Sequence, residues 1–396
     1  QSDQLTSVYE ATAVPAHSCD RSRPDQPSAD LAIVRCASCD LAFNAAFDAA
    51  LVGYAPTYDG SQAASPTFTD YQQNLARTLA IRFVLDDTST LIEVGAGRGE
   101  FLAALAEHTP CSRIAIDPAF PSQSGPVQTR SVQTGPDAPG LTVHRFGLLD
   151  APPTPPADAI VCRQTLEHIA EPLPFLRAMH DRLKPGGWLM VEVPAAERIW
   201  REGAFWDLYH EHATYFTASS LHAALTRAGF AVGLIAPEYD SQHLVALARR
   251  PDRDQVPSLW PGTPAATPAD VRQRLRSSLE HWQRRVAMFT ERGPWAIWGA
   301  GSKAVAFCHA TCAQPGAQPS AQPAGRPETI VDLNPALHGT TLAHTPSQPA
   351  QRIQSPSVLS HLRPHTVLAM NPIYREEITR AVRALSPGAM IECLGD

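Results

Sequence analysis

Residues 90–109 read TLIEVGAGRGEFLAALAEHT: an apolar run closing on an acid, three glycines at alternate positions, then apolar residues at helical spacing. This is a buried strand that turns directly into a helix. Gly95, Gly97 and Gly99 let the backbone turn tightly and approach a flat ligand, while the helix N-terminus that follows offers unpaired amides. A dinucleotide fingerprint would read GxGxxG. This loop reads GxGxG, with Glu93 two places before it, so a different nucleoside is expected. Asp117 closes the next strand, RIAID, eighteen residues after Gly99, where an acid can meet a ribose.

Outward from this turn the pattern repeats. Apolar residues from Asp70 to Arg82 predict a leading helix. TVHRFGLL, AIVCRQTL and GWLMVEVP read as further strands, with PLPFLRAMHDRL as a helix between the last two. Strands alternating with helices predict an α/β fold built on a parallel sheet. A helix starting near Thr217 and stopping at Gly229, then the strands FAVGLIA and HLVALAR, complete this unit. The Pro-rich stretch 251–268 marks a boundary, and Val271, Leu275, Leu279, Trp282, Val286 and Phe289 predict a long amphipathic helix that docks one unit on another. PWAIWGAG, SKAVAFCHA, ETIVDLN, SPSVLSHL, HTVLAM, YREEITRAVRAL and AMIECL then alternate as a second Rossmann-like α/β unit. Insertions at 122–140, 151–157 and 313–325, the last with AQP three times, read as surface loops, and the last as disordered. Residues 1–68 have no sustained period and read as a small irregular module. The expected division is 1–68, 69–250 and 251–396.

The 396 residues are 44% apolar with a formal net charge of −7, which supplies at least two cores and disfavours a general nucleic-acid binder. No apolar run approaches the roughly 20 residues of a membrane span, and the N-terminus has neither the basic start nor the apolar stretch of a secretory signal. Eight cysteines are too sparse for a disulfide scaffold. A cytoplasmic location is expected.

The loop EVGAGRG (93–99) resembles the first motif of the class I S-adenosylmethionine-dependent methyltransferases, E/DxGxGxG, and LKPGGWLMVEVP (183–194) resembles the Pro-Gly-Gly turn before their fifth strand. The resemblance implies that Glu93 faces the methionine amine of the cofactor. Gly95, Ala96, Gly97 and Gly99 would pass along it, Asp117 would take the ribose hydroxyls, and Arg163 and Gln164 would border it.

Downstream, FWDLYHEHATYFT (205–217) is dense in groups that move protons: Asp207, Tyr209, His210, Glu211 and His212. Bond formation to a carbon beside a carbonyl requires removing a weakly acidic proton, hence a base and a donor for the enolate oxygen. The segment supplies both. Together with CASCDLAFNAAFD (36–48), Tyr54 to Pro66, QTLEHI (164–169), WGAGSKAVAF (298–307), VDLNP (331–335) and MNPIYREEI (370–378), it resembles the three-part C-methyltransferases of nucleotide-linked keto-deoxysugars. Those combine a zinc-binding N-terminal module, a methyltransferase domain and a C-terminal Rossmann-like domain. By that resemblance His212 is the base, Tyr209 and Glu211 its supports, and His168 lies beside the reacting carbon. Tyr54 and Gln164 touch the acceptor, and Ser302 and Lys303 lie near a phosphate-bearing acceptor. An O- or N-methyltransferase of secondary metabolism is the alternative.

Zinc needs four ligands. Cys36 and Cys39 form one pair, and His17 with Cys19 is the candidate second. The family's first CxxC would precede VPAHS (14–18) and is either lost or falls before Gln1, so bound zinc and a metal-free remnant both remain open. The remaining cysteines, including Cys111, Cys162, Cys308, Cys312 and Cys393, read as core residues. Gly299-Ala-Gly301-Ser-Lys-Ala304, with Asp332 ending the next strand, also fits a GxGxxA dinucleotide loop. Independent NAD binding, a hold on the acceptor, and fold geometry alone are its three readings.

Overall fold

A computed structural model describes residues 5–18, 26–54, 60–121, 138–252, 266–312, 325–344 and 350–396. Cys19, most of the 122–140 insertion and the AQP tract through 324 lie outside the described residues. The N-terminal residues are more regular than expected. β1 (Leu5–Pro15), β2 (Ser28–Cys36) and β3 (Ala42–Asn44) form an antiparallel sheet. Alternate burial along β2 explains the period that composition hid: Ala29, Leu31, Ile33 and Arg35 face inward, and register shifts along β1 break its own alternation.

Ser65 caps α1 (Pro66–Arg82), its hydroxyl accepting the Phe68 amide, with Pro66 at the first helical position. The central unit then runs β4 (Thr90–Val94), α2 (Glu100–Ala106), β5 (Ser112–Ile116), β6 (Leu141–His144), β7 (Ala157–Arg163), α3 (Pro172–Arg182), β8 (Leu183–Pro194) and α4 (Ala196–Glu202). β9 (Thr214–Tyr215), α5 (Ala218–Arg227), β10 (Ala231–Glu238) and β11 (His243–Arg249) follow. Seven of these strands make one sheet in the order β10-β11-β8-β7-β4-β5-β6. β4 to β8 are parallel, and β11 enters antiparallel between β8 and β10. Numbered from β4, the order is 3-2-1-4-5-7-6. Apolar clusters cover both faces of this sheet, which is why its central strands read as continuous apolar runs.

β9, two residues beyond His212, pairs with β3, so the end of the segment 205–217 supplies the fourth strand of the N-terminal sheet. The small module is therefore not closed without it. α6 (Pro268–Arg292) packs on α4, β1 and the helix Ser302–Cys312, burying Val271, Leu275, Trp282, Val286 and Phe289. The last unit is β12 (Trp295–Trp298), α7 (Ser302–Cys312), β13 (Thr329–Val331), β14 (Ile353–Gln354), α8 (Leu359–Leu362), β15 (Thr366–Ala369), α9 (Arg375–Leu385) and β16 (Met390–Cys393). Its parallel sheet has the order β14-β13-β12-β15-β16. One face shares a core with the N-terminal sheet, α4 and α6, and the other is closed by α8 and α9. The glycine loops after β4 and β12 border one cleft of about 620 Å³.

Candidate active site

The first glycine loop is shaped by a near neighbour. Gly95 has φ of +74°, and a Cβ there would lie 1.9 Å from the Thr165 hydroxyl oxygen. Only glycine fits. Asp117 holds the loop: its Oδ2 accepts the Gly97 amide at 2.7 Å and its Oδ1 the Ala119 amide at 2.6 Å. The expected ribose ligand thus first fixes the cradle, leaving its remaining lone pairs toward the cleft. Glu93, at the end of β4, is 3% exposed, and its Oε2 has no hydrogen-bond partner among the described residues. Burial pushes its carboxyl up to about 8, although Arg163 pulls the other way. An unpaired buried acid at the mouth of an amide-rich cradle suits an ammonium ligand, so these residues fit S-adenosylmethionine.

Arg163 borders this end but is committed elsewhere. Its Nε donates to Glu192 Oε2 at 2.6 Å, and its guanidinium sits 4.8 Å from the Phe101 ring centre. Gln164 follows with φ of +47°, its amide bonded to the Glu192 carbonyl at 2.9 Å. Its side-chain Nε2 is buried on the cleft wall with no partner among the described residues.

At the other end, Tyr215 closes the 209–215 turn on itself. Its hydroxyl accepts the Tyr209 amide at 3.2 Å and donates to the Tyr209 carbonyl at 3.1 Å. This presents His212 to the cleft, 6% exposed, with Nδ1 unpartnered among the described residues. Tyr209 and His168 stand with ring centres 4.3 and 4.8 Å from the His212 ring. Burial, with His168 and Lys303 adding, holds His212 well below the ordinary imidazole range, so it is neutral and able to accept a proton. His168 Nδ1 lies 3.0 Å from the Glu211 carbonyl, a contact that assigns it the proton and leaves Nε2 as a lone pair. Tyr54 meets the rings of both His168 and His17 edge-on, at 5.6 and 5.4 Å.

Glu211 has a different place from the one expected. Its carboxylate accepts the Ser18 amide at 3.0 Å and the Ser302 hydroxyl at 2.9 Å, and lies 3.2 Å from His17 Nε2. It ties the three parts of the chain together and supports His168 through its backbone. Lys303 pairs with Asp207, which also accepts Arg198 Nη1 at 2.8 Å. Ser302 and Lys303 are thus engaged by carboxylates of the chain itself. His210 points away into the N-terminal sheet, its Nδ1 2.9 Å from the Asp30 carbonyl and its Nε2 accepting the Asp48 amide at 3.2 Å.

QTLEHI and MNPIYREEI stand out in the sequence, the latter as part of the cleft wall, but nothing there marks Glu167 for a role of its own. Glu167 is 2% exposed with Oε2 unpartnered among the described residues, and burial pushes it up to about 8. Glu167, His168 and His212 offer ligand-type atoms within 4.8 Å of one another, the one such cluster of three among the described residues. MNPIYREEI forms the far wall. Tyr239 donates to the Tyr374 hydroxyl at 2.6 Å, Tyr374 to Gln62 at 2.6 Å, Gln242 to Asn371 at 2.8 Å, and Ser65 and Thr67 to Glu377 at 2.9 Å each.

The expected zinc set is corrected. Leu5 pairs with Cys36 and Pro15 with Ser28. Eight residue steps of strand, about 27 Å, separate Cys36 from the end of the hairpin where His17 emerges. His17 faces Glu211 and Tyr54 instead, so it cannot complete a site with Cys36 and Cys39. Among the described residues, Cys36, Cys39 and His17 do not converge on a zinc centre.

The second glycine loop repeats the first in detail. Asp332 Oδ2 accepts the Ala300 amide at 2.7 Å and Oδ1 the Asn334 amide at 2.8 Å.

With two such cradles around one cleft, the strand order 3-2-1-4-5-7-6 and the acid-led GxGxG turn give the central unit the class I methyltransferase fold. Residues 64–233 match the family model described as a methyltransferase domain. Among curated proteins, the trans-aconitate 2-methyltransferase of Azoarcus sp. (strain BH72) is 28% identical over 140 residues, 35% of this chain and 51% of that protein. The C-methyltransferase NovU of Streptomyces niveus is 28% identical over 171 residues, 41% of this chain and 37% of that protein. The chain spans about half or less of the length of these relatives. The solved N-methyltransferase NodS from Bradyrhizobium japonicum WM9 aligns with TM-score 0.36 and 18% identity, over 47% of this chain and 98% of that one. The family match falls on the central unit and leaves the N- and C-terminal units outside it. No helix among the described residues is long and apolar enough to cross a membrane.

Proposed function

We propose that the chain is an S-adenosylmethionine-dependent C-methyltransferase that methylates a carbon α to a carbonyl in a small natural-product intermediate. The observation that carries this reading is His212: a neutral, desolvated imidazole with an open nitrogen, set between Tyr209 and His168 in the cleft that the glycine loop opens onto. Transfer to an activated oxygen or nitrogen needs little beyond positioning, whereas transfer to carbon needs such a base. S-adenosylmethionine, when bound, supplies an electrophilic methyl on a sulfonium centre.

In this reading Glu93 pairs the ammonium, the Gly95–Gly99 backbone carries the adenosyl portion, and Asp117 meets the ribose. His212 takes the α-proton at its open nitrogen. Tyr209 donates a hydrogen bond to the developing enolate oxygen, and protonated Glu167 is a second donor within reach of the same space. A nucleotide-linked keto-deoxysugar is the first acceptor to try. Lys303 and Ser302 are the side chains that would hold its phosphate, and Asp207 and Glu211 would have to yield them.

The test is calorimetric titration with S-adenosylhomocysteine, then a screen of keto-sugar nucleotides and simpler ketones for transfer of labelled methyl, with the product's new bond assigned by NMR. A His212→Gln variant should retain cofactor affinity and lose transfer. Undiminished transfer by that variant, or a methyl found on oxygen or nitrogen, would establish the alternative O- or N-methyltransferase.

A further inference from the structure

Glu192 lies on β8, completely buried and beneath the cleft wall. Both its oxygens are taken: Oε2 accepts Arg163 Nε at 2.6 Å, while Oε1 accepts the Tyr71 hydroxyl at 2.8 Å and lies 2.7 Å from His243 Nδ1. These partners hold its carboxyl far below the usual range, so it is a fixed anion. Arg163 is the cation that acts on Glu93, yet no ion pair joins the two; the guanidinium is turned to Glu192 and lies over Phe101. The sequence draws no attention to Glu192, an acid in the middle of the apolar strand WLMVEVP.

We propose that Glu192 is a positioning residue of the cofactor site: by retaining Arg163 it withholds that cation from Glu93 and reserves Glu93 for the cofactor's ammonium. The proposal rests on the S-adenosylmethionine reading of the glycine loop. The charged and titratable groups that act on Glu93 are Arg163 and Cys162 on β7, Asp117 beyond β5, Glu100 on α2 and Glu192 on β8. One committed cation faces three carboxylates, so burial prevails and Glu93 keeps its proton at neutral pH. When an ammonium arrives, the Glu93 O–H bond breaks, the carboxylate pairs with the ammonium, and the proton passes to solvent. Binding therefore releases close to one proton per cofactor at pH 7 and tightens as pH rises through about 8, above which Glu93 is mostly ionised without ligand.

The experiment titrates S-adenosylhomocysteine into the full chain at pH 7 in phosphate and in Tris, whose different ionisation enthalpies report proton release. The unaltered protein should release nearly one proton. Glu93→Gln should release none and bind at least about tenfold more weakly. Glu192→Gln, which alters no group lining the cleft, should also lose the proton release and weaken binding about tenfold, because freed Arg163 would pair with Glu93. As Glu192→Gln leaves a buried guanidinium short of a partner, the double variant Arg163→Met with Glu192→Gln is measured beside it, and should recover the release. Wild-type proton release and affinity in Glu192→Gln, or binding without proton release in the unaltered chain, would overturn the proposal. No heat with S-adenosylhomocysteine at all would overturn the cofactor reading and this inference with it.

Discussion

Two loops of this molecule solve the same geometric problem and are left in opposite conditions. After β4 and after β12 a strand ends, glycines turn the chain, and an aspartate from the next strand binds one loop amide and one amide of its own turn: Asp117 to Gly97 and Ala119, Asp332 to Ala300 and Asn334. The first loop opens beside a buried acid, Glu93, with an oxygen unpartnered among the described residues. At the second, the start of α7 is taken up by the chain, through Ser302 on Glu211 and Lys303 on Asp207. Equal backbone geometry therefore does not make equal sites. What differs is whether the side chains around the turn are already neutralised.

The largest expected contrast is between glycines. Gly95→Ala forces a Cβ into Thr165 at a left-handed backbone position, so S-adenosylhomocysteine binding should fall more than about a hundredfold and stability by about 3 kcal/mol or more. Gly301→Ala meets nothing within 4 Å and should shift stability by no more than about 0.5 kcal/mol. Thermal melts and titration of both variants measure this; an equal response would erase the distinction.

Next come the two histidines of the segment between the loops. His212→Gln should lower turnover of an acceptor found by the screen about 10²- to 10⁴-fold with little change in melting temperature. His210→Gln should leave the chemistry intact and cost about 1–3 kcal/mol, since buried partners in the N-terminal sheet lose their hydrogen bonds.

A smaller effect separates the aspartates. Asp117→Asn should weaken S-adenosylhomocysteine about tenfold, whereas Asp332→Asn should leave that affinity unchanged and cost about 1–2 kcal/mol in stability. Calorimetry and denaturant unfolding on the same samples distinguish them.

The smallest is a pH displacement. Lys303 depresses the His212 pKa, so Lys303→Met should raise it and move the acidic limb of the rate profile to higher pH. Glu93 gives a matching signature in stability. Its folded pKa is raised, so the folded state holds more protons than the unfolded chain, and stability of the ligand-free protein should fall as pH rises from the ordinary carboxylate range to about 8. Glu93→Gln should flatten that slope in unfolding measured across the range.

Much of the fold was legible because its signals are local. Apolar runs broken by Gly and Pro marked the parallel strands, and the helices over 70–82, from Thr217 and over 271–289 formed where their periods placed them. The N-terminal sheet was missed because its bulges interrupt alternation and its fourth strand lies about 170 residues downstream. His17 was misassigned for a related reason: short spacing to cysteines resembles a ligand set, whereas an extended hairpin carries its two ends apart.

The Gly95–Gly99 turn, with Glu93 before it and Asp117 closing the next strand, was readable from order and spacing, since turn geometry and strand ends are short-range properties, whereas His212 was singled out by the resemblance of its segment. Only the folded chain decided which of those groups stay open. Among the described residues Glu93 and His212 keep unpartnered atoms, while Glu211, Arg163, Lys303 and Ser302 are consumed by partners up to 193 residues away. Neutralisation depends on distances of a few ångströms across domains, and no linear pattern encodes those distances.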